Sequence, residues 1–244
     1  MKNDPPLLHG TFVKRYKRFF TDIRTADGEL LTLHCPNTGS MKNCQVKGSA
    51  CWYSLSDNPK RKLAGTLEIV TTSQGQLAGV NTSRPNRLVY ELIQAGLVPE
   101  LSGYQHLRTE VRYGEEKSRI DLLLEDSALG LCYVEVKNVT LDMGQGLAAF
   151  PDAVTSRGSK HLRELMAMVA AGHRAVLFFC VQLSEAERME VADEIDPLYA
   201  KTLSQAVAAG VEVIAWRAKM SADEIVLEKP INCLQDLPAP VPAD

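Results

Sequence analysis

The chain has 244 residues, 45% of them hydrophobic and 23% charged, which supports a sizeable core and excludes wholesale disorder. No apolar run approaches the ~20 residues needed to cross a bilayer. Met1-Lys2-Asn3-Asp4-Pro5-Pro6 lacks the apolar core of a signal peptide, so a cytoplasmic protein with its six cysteines as reduced thiols is expected.

The formal net charge of −3 is unevenly spread. Residues 1–83 carry 11 Lys and Arg against 6 Asp and Glu, while the remainder carries 16 against 24. A basic first third joined to an acidic remainder points to two domains with different tasks. None of the cysteines forms a C-x-x-C pair or flanks His at finger spacing, which argues against structural zinc.

In chain order, the runs 8–13, 19–23, 30–34, 50–55 and 67–72 have the composition of short strands, with Ala26-Asp27-Gly28-Glu29 as a hairpin turn. Close spacing and little helical periodicity predict a small OB-like β-barrel. Polar residues 73–86 read as a linker. Apolar periodicity then predicts a helix over 84–94, with Gly96 as its stop. Three strands follow at 106–113, 119–124 and 131–138. Further helices are predicted over 159–170, 185–194 and 197–209, and strands over 175–181 and 211–216. The order α-β-β-β-α-β describes a mixed sheet flanked by helices, an α/β (mixed α+β) domain. The tail from Pro230, with Pro238, Pro240 and Pro242, is expected to be loose.

The chemistry concentrates on one hairpin, in Arg119-Ile120-Asp121-Leu122 and Tyr133-Val134-Glu135-Val136-Lys137. Alternate residues of a strand share a face, which groups Glu135 with Lys137, and Arg119 with Asp121 and Leu123. Antiparallel pairing then sets Asp121 across from Glu135. Two carboxylates that close repel each other unless a cation lies between them. Mg²⁺ or Mn²⁺ suits such a pair, with waters and phosphate oxygens completing the shell. The backbone carbonyl of Val136 is a further ligand candidate. Lys137 is placed to meet an attacking water or a phosphate, and Glu91 on the preceding helix is a candidate extra ligand. On the helix over 159–170, Arg157, Lys160, His161 and Glu164 recur at helical spacing, and the first three are candidate phosphate contacts at a helix start.

In the basic third, Lys14, Arg15, Tyr16, Lys17 and Arg18 interleave cations with an aromatic, a pattern suited to phosphates and unstacked bases. Lys60, Arg61 and Lys62 form a second basic turn on what is expected to be the same side of the barrel. Neither cluster contains a base-reading pattern, so non-sequence-specific DNA binding is expected. The 35–41 loop, with Asn37, Thr38, Gly39 and Ser40, suits either a phosphate-holding turn or a purely structural one.

Three longer strings extend this reading. His34-Cys35-Pro36-Asn37-Thr38-Gly39-Ser40-Met41, Phe150-Pro151-Asp152-Ala153-Val154-Thr155-Ser156-Arg157-Gly158-Ser159-Lys160-His161-Leu162 and Ile195-Asp196-Pro197-Leu198-Tyr199 resemble the sugar fermentation stimulation protein A family. Asp121 with Glu135-Val136-Lys137 resembles the PD-(D/E)xK signature of the restriction-endonuclease-like fold. The resemblance runs from about residue 8 to about residue 226. It implies an OB-like domain over 1–82, a nuclease-like domain over 83–229 and a Pro-rich tail over 230–244. It further implies non-specific DNA binding and a regulatory role in sugar (maltose) metabolism. Two functions follow as expectations: a Mg²⁺-dependent phosphodiesterase, or a catalytically silent DNA-binding regulatory factor.

Overall fold

The structure, a computed structural model, describes residues 1–233. Strands β1 (Leu8–Tyr16), β2 (Phe20–Thr25), β3 (Leu30–His34), β4 (Ala50–Leu55) and β5 (Gly65–Thr71) pair in the order β3-β2-β1-β4-β5. A further pairing, His34 with Thr66, joins β3 to β5 and closes the barrel. Closure leaves no free edge among these five strands. Their inward residues Phe12, Ile23, Leu33, Cys51 and Leu67 are buried, the four larger ones each contributing roughly 2 kcal/mol of apolar burial. The expected OB-like barrel is therefore present.

The 73–86 segment is not a free linker. Strand β6 (Leu77–Gly79) pairs with β5, and Ala78, Val80 and Asn81 are buried. Ala78 bridges Leu183, while the Gly79 amide donates to the Gln182 carbonyl at 3.0 Å. A Cβ at Gly79 would lie 2.4 Å from Gln182 Oε1, so a larger residue here would have to displace that side chain. Polar composition misread a segment whose backbone is satisfied by both domains.

The second domain begins at α1 (Pro85–Gln94), with Pro at its start where the missing N–H costs nothing. A six-stranded sheet runs in the order β15-β14-β12-β9-β8-β7. Its members are β7 (His106–Tyr113), β8 (Ser118–Asp126), β9 (Gly130–Val139), β12 (Arg174–Val181), β14 (Glu212–Met220) and β15 (Ile225–Pro230). Leu88, Val89 and Leu92 seat α1 on one face of this sheet. Leu162, Leu165 and Leu203 seat α2 (Ser156–Ala170) and α3 (Pro197–Ala208) on the other. The expected α-β-β-β-α-β order is present, and β12, buried on both faces, is the apolar run that announced it.

A smaller sheet was not foreseen. It pairs β10 (Leu141–Gly144), β11 (Leu147–Phe150), β13 (Arg188–Val191) and β16 (Asn232–Cys233). The expected helix over 185–194 is corrected by it, because β13 pairs in parallel with β11 from Leu147 with Arg188 to Phe150 with Val191. Tertiary pairing outweighed the helical propensity of the Glu-rich stretch.

Residues 1–7, assigned from sequence to the barrel, lie on the second domain. Asn3 and Leu7 amides donate to the carbonyls of Asp223 and Ala222 at 2.7 and 2.8 Å, and Leu7 is buried beneath them. The tail expected to be loose from Pro230 is ordered at its start, where Pro230 ends β15 and Asn232–Cys233 form β16; Pro238, Pro240 and Pro242 fall outside the described residues.

Candidate functional site

Beyond the Leu122–Val134 pair, β8 and β9 cease to pair, and Asp121 stands where they part. Side-chain alternation also breaks here. Leu122 and Leu124 enter the core beneath α1, but Ile120 joins Leu123 and Tyr133 in the core beneath α2. The expectation that Arg119, Asp121 and Leu123 share a face is corrected accordingly. Opposite Asp121, Glu110 of β7 has a left-handed backbone at φ 55°, a conformation a non-glycine residue adopts at a cost.

The Asp121 carboxylate accepts from the Val136 amide at 2.7 Å and from Asn86 Nδ2, at the start of α1, at 2.8 Å. The N–H and C=O of one strand residue point to the same side, so the Val136 carbonyl is directed to this gap as well. Burial first, and then the Glu135 charge, push the Asp121 carboxyl up to about 6.

Glu135 on β9 is 2% exposed. Its Oε1 accepts from Lys137 Nζ at 2.6 Å and meets His161 Nδ1 of α2. Arg157 Nε donates to His161 Nε2 at 3.3 Å, so the neutral ring carries its proton on Nδ1 and donates it to Glu135. Burial pushes the Glu135 carboxyl up, but Lys137 and His161 outweigh it and hold it below its ordinary value. Its second oxygen, Oε2, is buried and has no hydrogen-bond partner. The Tyr113 hydroxyl is likewise buried and without a partner; burial, then Glu135, pushes its pKa up.

Of the sequence candidates, Asp121, Glu135, Lys137, Arg157 and His161 are brought together. Glu91 is not: its carboxylate is taken by Arg87 at 2.9 Å and by the Met1 amino group at 3.3 Å. The α1 side chain that does reach Asp121 is Asn86, five residues earlier. Lys160 is drawn aside, donating to the Glu116 carbonyl at 2.5 Å. Glu164, read as part of a polar stripe, is buried and accepts from the Glu116 amide at 2.8 Å. Asn86 and Tyr113 escaped the sequence reading. The polar start of α1, Ser83-Arg84-Pro85-Asn86, was the available signal for the first, and nothing in periodicity distinguishes the second.

A cleft of about 660 Å³ opens at Asp121, lined also by Asn86, Arg87, Tyr90, Thr109 and Glu110. It gives the carboxylate access to solvent from the α1 side.

The three long strings meet at the start of α2. Asp196 caps α3 by accepting from the Tyr199 amide at 2.9 Å and also accepts from the Thr155 amide at 2.7 Å. Thr155 in turn caps α2 through the Gly158 amide at 3.0 Å. Ser40 Oγ and the Met41 amide donate to Asp152 Oδ2 at 2.8 and 3.0 Å. The 35–41 loop is thus a latch between the domains.

On the barrel, Arg15 is no free cation. Its guanidinium donates to the carbonyls of Arg18, Asn37 and Gly39 at 3.1, 2.7 and 3.0 Å, clamping that latch. Lys14 lies 3.6 Å from Asp22 and over the Tyr16 ring, and Tyr16 stacks on Phe20. Lys17 and Arg18 form an exposed turn with positive φ. The Lys60–Lys62 turn reaches the same end: Tyr16 pairs with Phe20, Phe20 with His34 and His34 with Thr66, whose hydroxyl accepts from Arg61 at 2.9 Å. Burial, then the Arg61 charge, lower the His34 pKa.

Barrel and site together define a two-domain protein, an OB-like barrel latched to a restriction-endonuclease-like domain. The family model described as the sugar fermentation stimulation protein RE domain matches residues 83–224, and the SfsA N-terminal OB domain matches residues 13–80. The chain belongs to the sugar fermentation stimulation protein family. A sugar fermentation stimulation protein homolog of Teredinibacter turnerae is 57% identical over 226 residues, covering 93% of this chain and 96% of the relative. One from Pseudomonas fluorescens is 54% identical over 235 residues, covering 96% and 99%. The structure of Pyrococcus furiosus SfsA in complex with Ca²⁺ superposes with a TM-score of 0.85 at 26% identity, covering 96% and 97% of the two chains.

Proposed function

We propose that the protein is a divalent-metal-dependent phosphodiesterase acting on DNA without sequence preference. The observation that carries this reading is the orphaned Oε2 of Glu135, buried beside Asp121 on parting strands. A buried carboxylate oxygen without a donor is costly, and a hard cation held by Asp121, Glu135 and the Val136 carbonyl removes that cost. These oxygen donors fit Mg²⁺ or Mn²⁺. Such an ion supplies charge stabilisation at the scissile phosphate and a lowered pKa for bound water. Asn86 and the Val136 amide orient Asp121. Lys137 positions a water or a phosphate oxygen, and Arg157 with His161 fixes the Glu135 side. Lys14, Tyr16, Lys17, Arg18, Lys60, Arg61 and Lys62 hold the substrate on the barrel, with Arg15 bracing their platform.

The test is cleavage of plasmid and oligonucleotides with Mg²⁺ or Mn²⁺, comparing wild type with Asp121→Ala and Lys137→Ala. Loss of at least ~10²-fold in both is expected. Equal residual activity in all three identifies a contaminant and rejects the reading.

One observation favours a second reading. Glu135 Oε1 is already paired with the Lys137 charge and contacted by His161, a closed arrangement suited to a silent site. The protein would then be a DNA-binding factor acting in sugar metabolism, as the family's name suggests. That reading expects salt-sensitive DNA binding with no cleavage under any metal.

A further inference from the structure

The hairpin leading into Asp121 carries three cations that neither the barrel nor the carboxylate site uses. Arg112 of β7 and Arg119 of β8 are direct cross-strand partners, which sets their Cβ atoms roughly 5 Å apart. Lys117 lies in the turn between the strands with a left-handed backbone at φ 55°. All three residues are exposed. Like charges directly opposite on a ladder destabilise it. Nearby cations have partners, Arg108 with Glu125 and Arg163 with Glu116. Among the described residues, Arg112, Lys117 and Arg119 make no ion pair.

These cations, with Tyr113 and Gly114, line a concavity of about 680 Å³. It lies along the same hairpin as the cleft at Asp121. Glu110 and Asp121 line that cleft, and Arg112 and Arg119 stand two residues farther along the same two strands. Two residues of strand span about 7 Å, comparable with the step between successive phosphates of an extended strand. The turn is also held in place. The Glu116 carbonyl accepts from Lys160, its amide donates to Glu164, and its carboxylate pairs with Arg163, all on α2. The break in alternation at Asp121 leaves Arg119 exposed while Ile120 fills the core beneath α2.

We infer that Arg112, Lys117 and Arg119 form a phosphate track that grips a nucleic-acid strand beside Asp121 on the second domain itself. The inference rests on the reading that the protein handles nucleic acid and adds a second anchor, separate from the barrel. Its ligand is the phosphodiester backbone, recognised by the charge of Arg112, Lys117 and Arg119.

The experiment is fluorescence anisotropy of labelled single-stranded and duplex oligonucleotides across a salt series. Wild type is compared with Arg112→Gln/Arg119→Gln, Arg112→Lys/Arg119→Lys and Lys17→Ala/Arg18→Ala. The Gln pair is expected to lower the slope of log affinity against log salt by about 1.4 to 1.8, from two lost phosphate contacts, and to weaken binding at least fivefold. The Lys pair keeps the slope, and matched melting curves show that the fold is intact. A Gln-pair slope equal to wild type, with the barrel variant's slope reduced, overturns the track and leaves nucleic-acid binding standing. Absence of salt-dependent binding by wild type overturns both.

Discussion

On the barrel, Lys17 and Arg18 stand in solvent and Lys14 only grazes Asp22 at 3.6 Å. In the second domain, Lys137 is packed against Glu135 at 2.6 Å with His161 alongside. The same residue type therefore serves two ends. Exposed cations cost the fold little, remain mobile and suit a ligand whose spacing varies. A buried cation is held by its carboxylate, and its removal strands a charge. Arg15 belongs with Lys137 despite its position in the basic strand, because its guanidinium is spent on three carbonyls of the chain.

The largest test of this contrast is Lys137→Met. It leaves Glu135 buried without its lysine counter-charge, and is expected to cost about 3–5 kcal/mol in urea unfolding. Lys17→Met should change stability by less than about 0.5 kcal/mol. Equal effects would erase the distinction. Next, Arg15→Ala should cost about 2 kcal/mol through charge-assisted hydrogen bonds to the latch.

The third test concerns Asp121. Its folded pKa, about 6, exceeds its ordinary 3.8. The folded state therefore binds more protons between roughly pH 4 and 6, and stability falls as pH rises through that window. In the absence of divalent metal, Asp121→Asn should stabilise the protein at pH 7 by about 1–2 kcal/mol, discounted from the full shift because one hydrogen bond is lost. The same variant should flatten the pH dependence of the melting temperature between pH 4 and 6. A less stable variant would mean that the carboxylate is not strained. The fourth test, Glu91→Gln, is expected to cost under about 1 kcal/mol, with metal affinity unchanged. A loss of Mn²⁺ binding in that variant, followed by calorimetry, would return Glu91 to the site.

The barrel and the α-β-β-β-α-β order were legible because period-2 alternation and the buried run of β12 are local signals. The Asp121, Glu135 and Lys137 trio was legible for the same reason, two residues of strand bringing Glu135 and Lys137 to one face. Asn86 was not, because its partner lies 35 positions away and only the docking of α1 brings them together. Glu91 was misplaced because helical spacing gives the face of a residue but not what Arg87 and the amino group of Met1 offer it. The small sheet was hidden since β11 and β13 pair in parallel across an intervening helix and strand. The 35–41 loop was ambiguous in composition, and only Asp152, over a hundred positions on, decides that it is a latch.

Residues 1–7 lie on β15 and the turn before it, with Lys2 bridging Glu224 and Leu7 bonded to Ala222. In synthesis this segment precedes the surface that receives it by more than two hundred residues. The barrel can close while this segment is still unplaced, but the pairing of the segment must wait until residues 222–225 are out. Two neighbours in space are thus far apart in time, and residues 1–7 settle only after their partners near residue 222 exist.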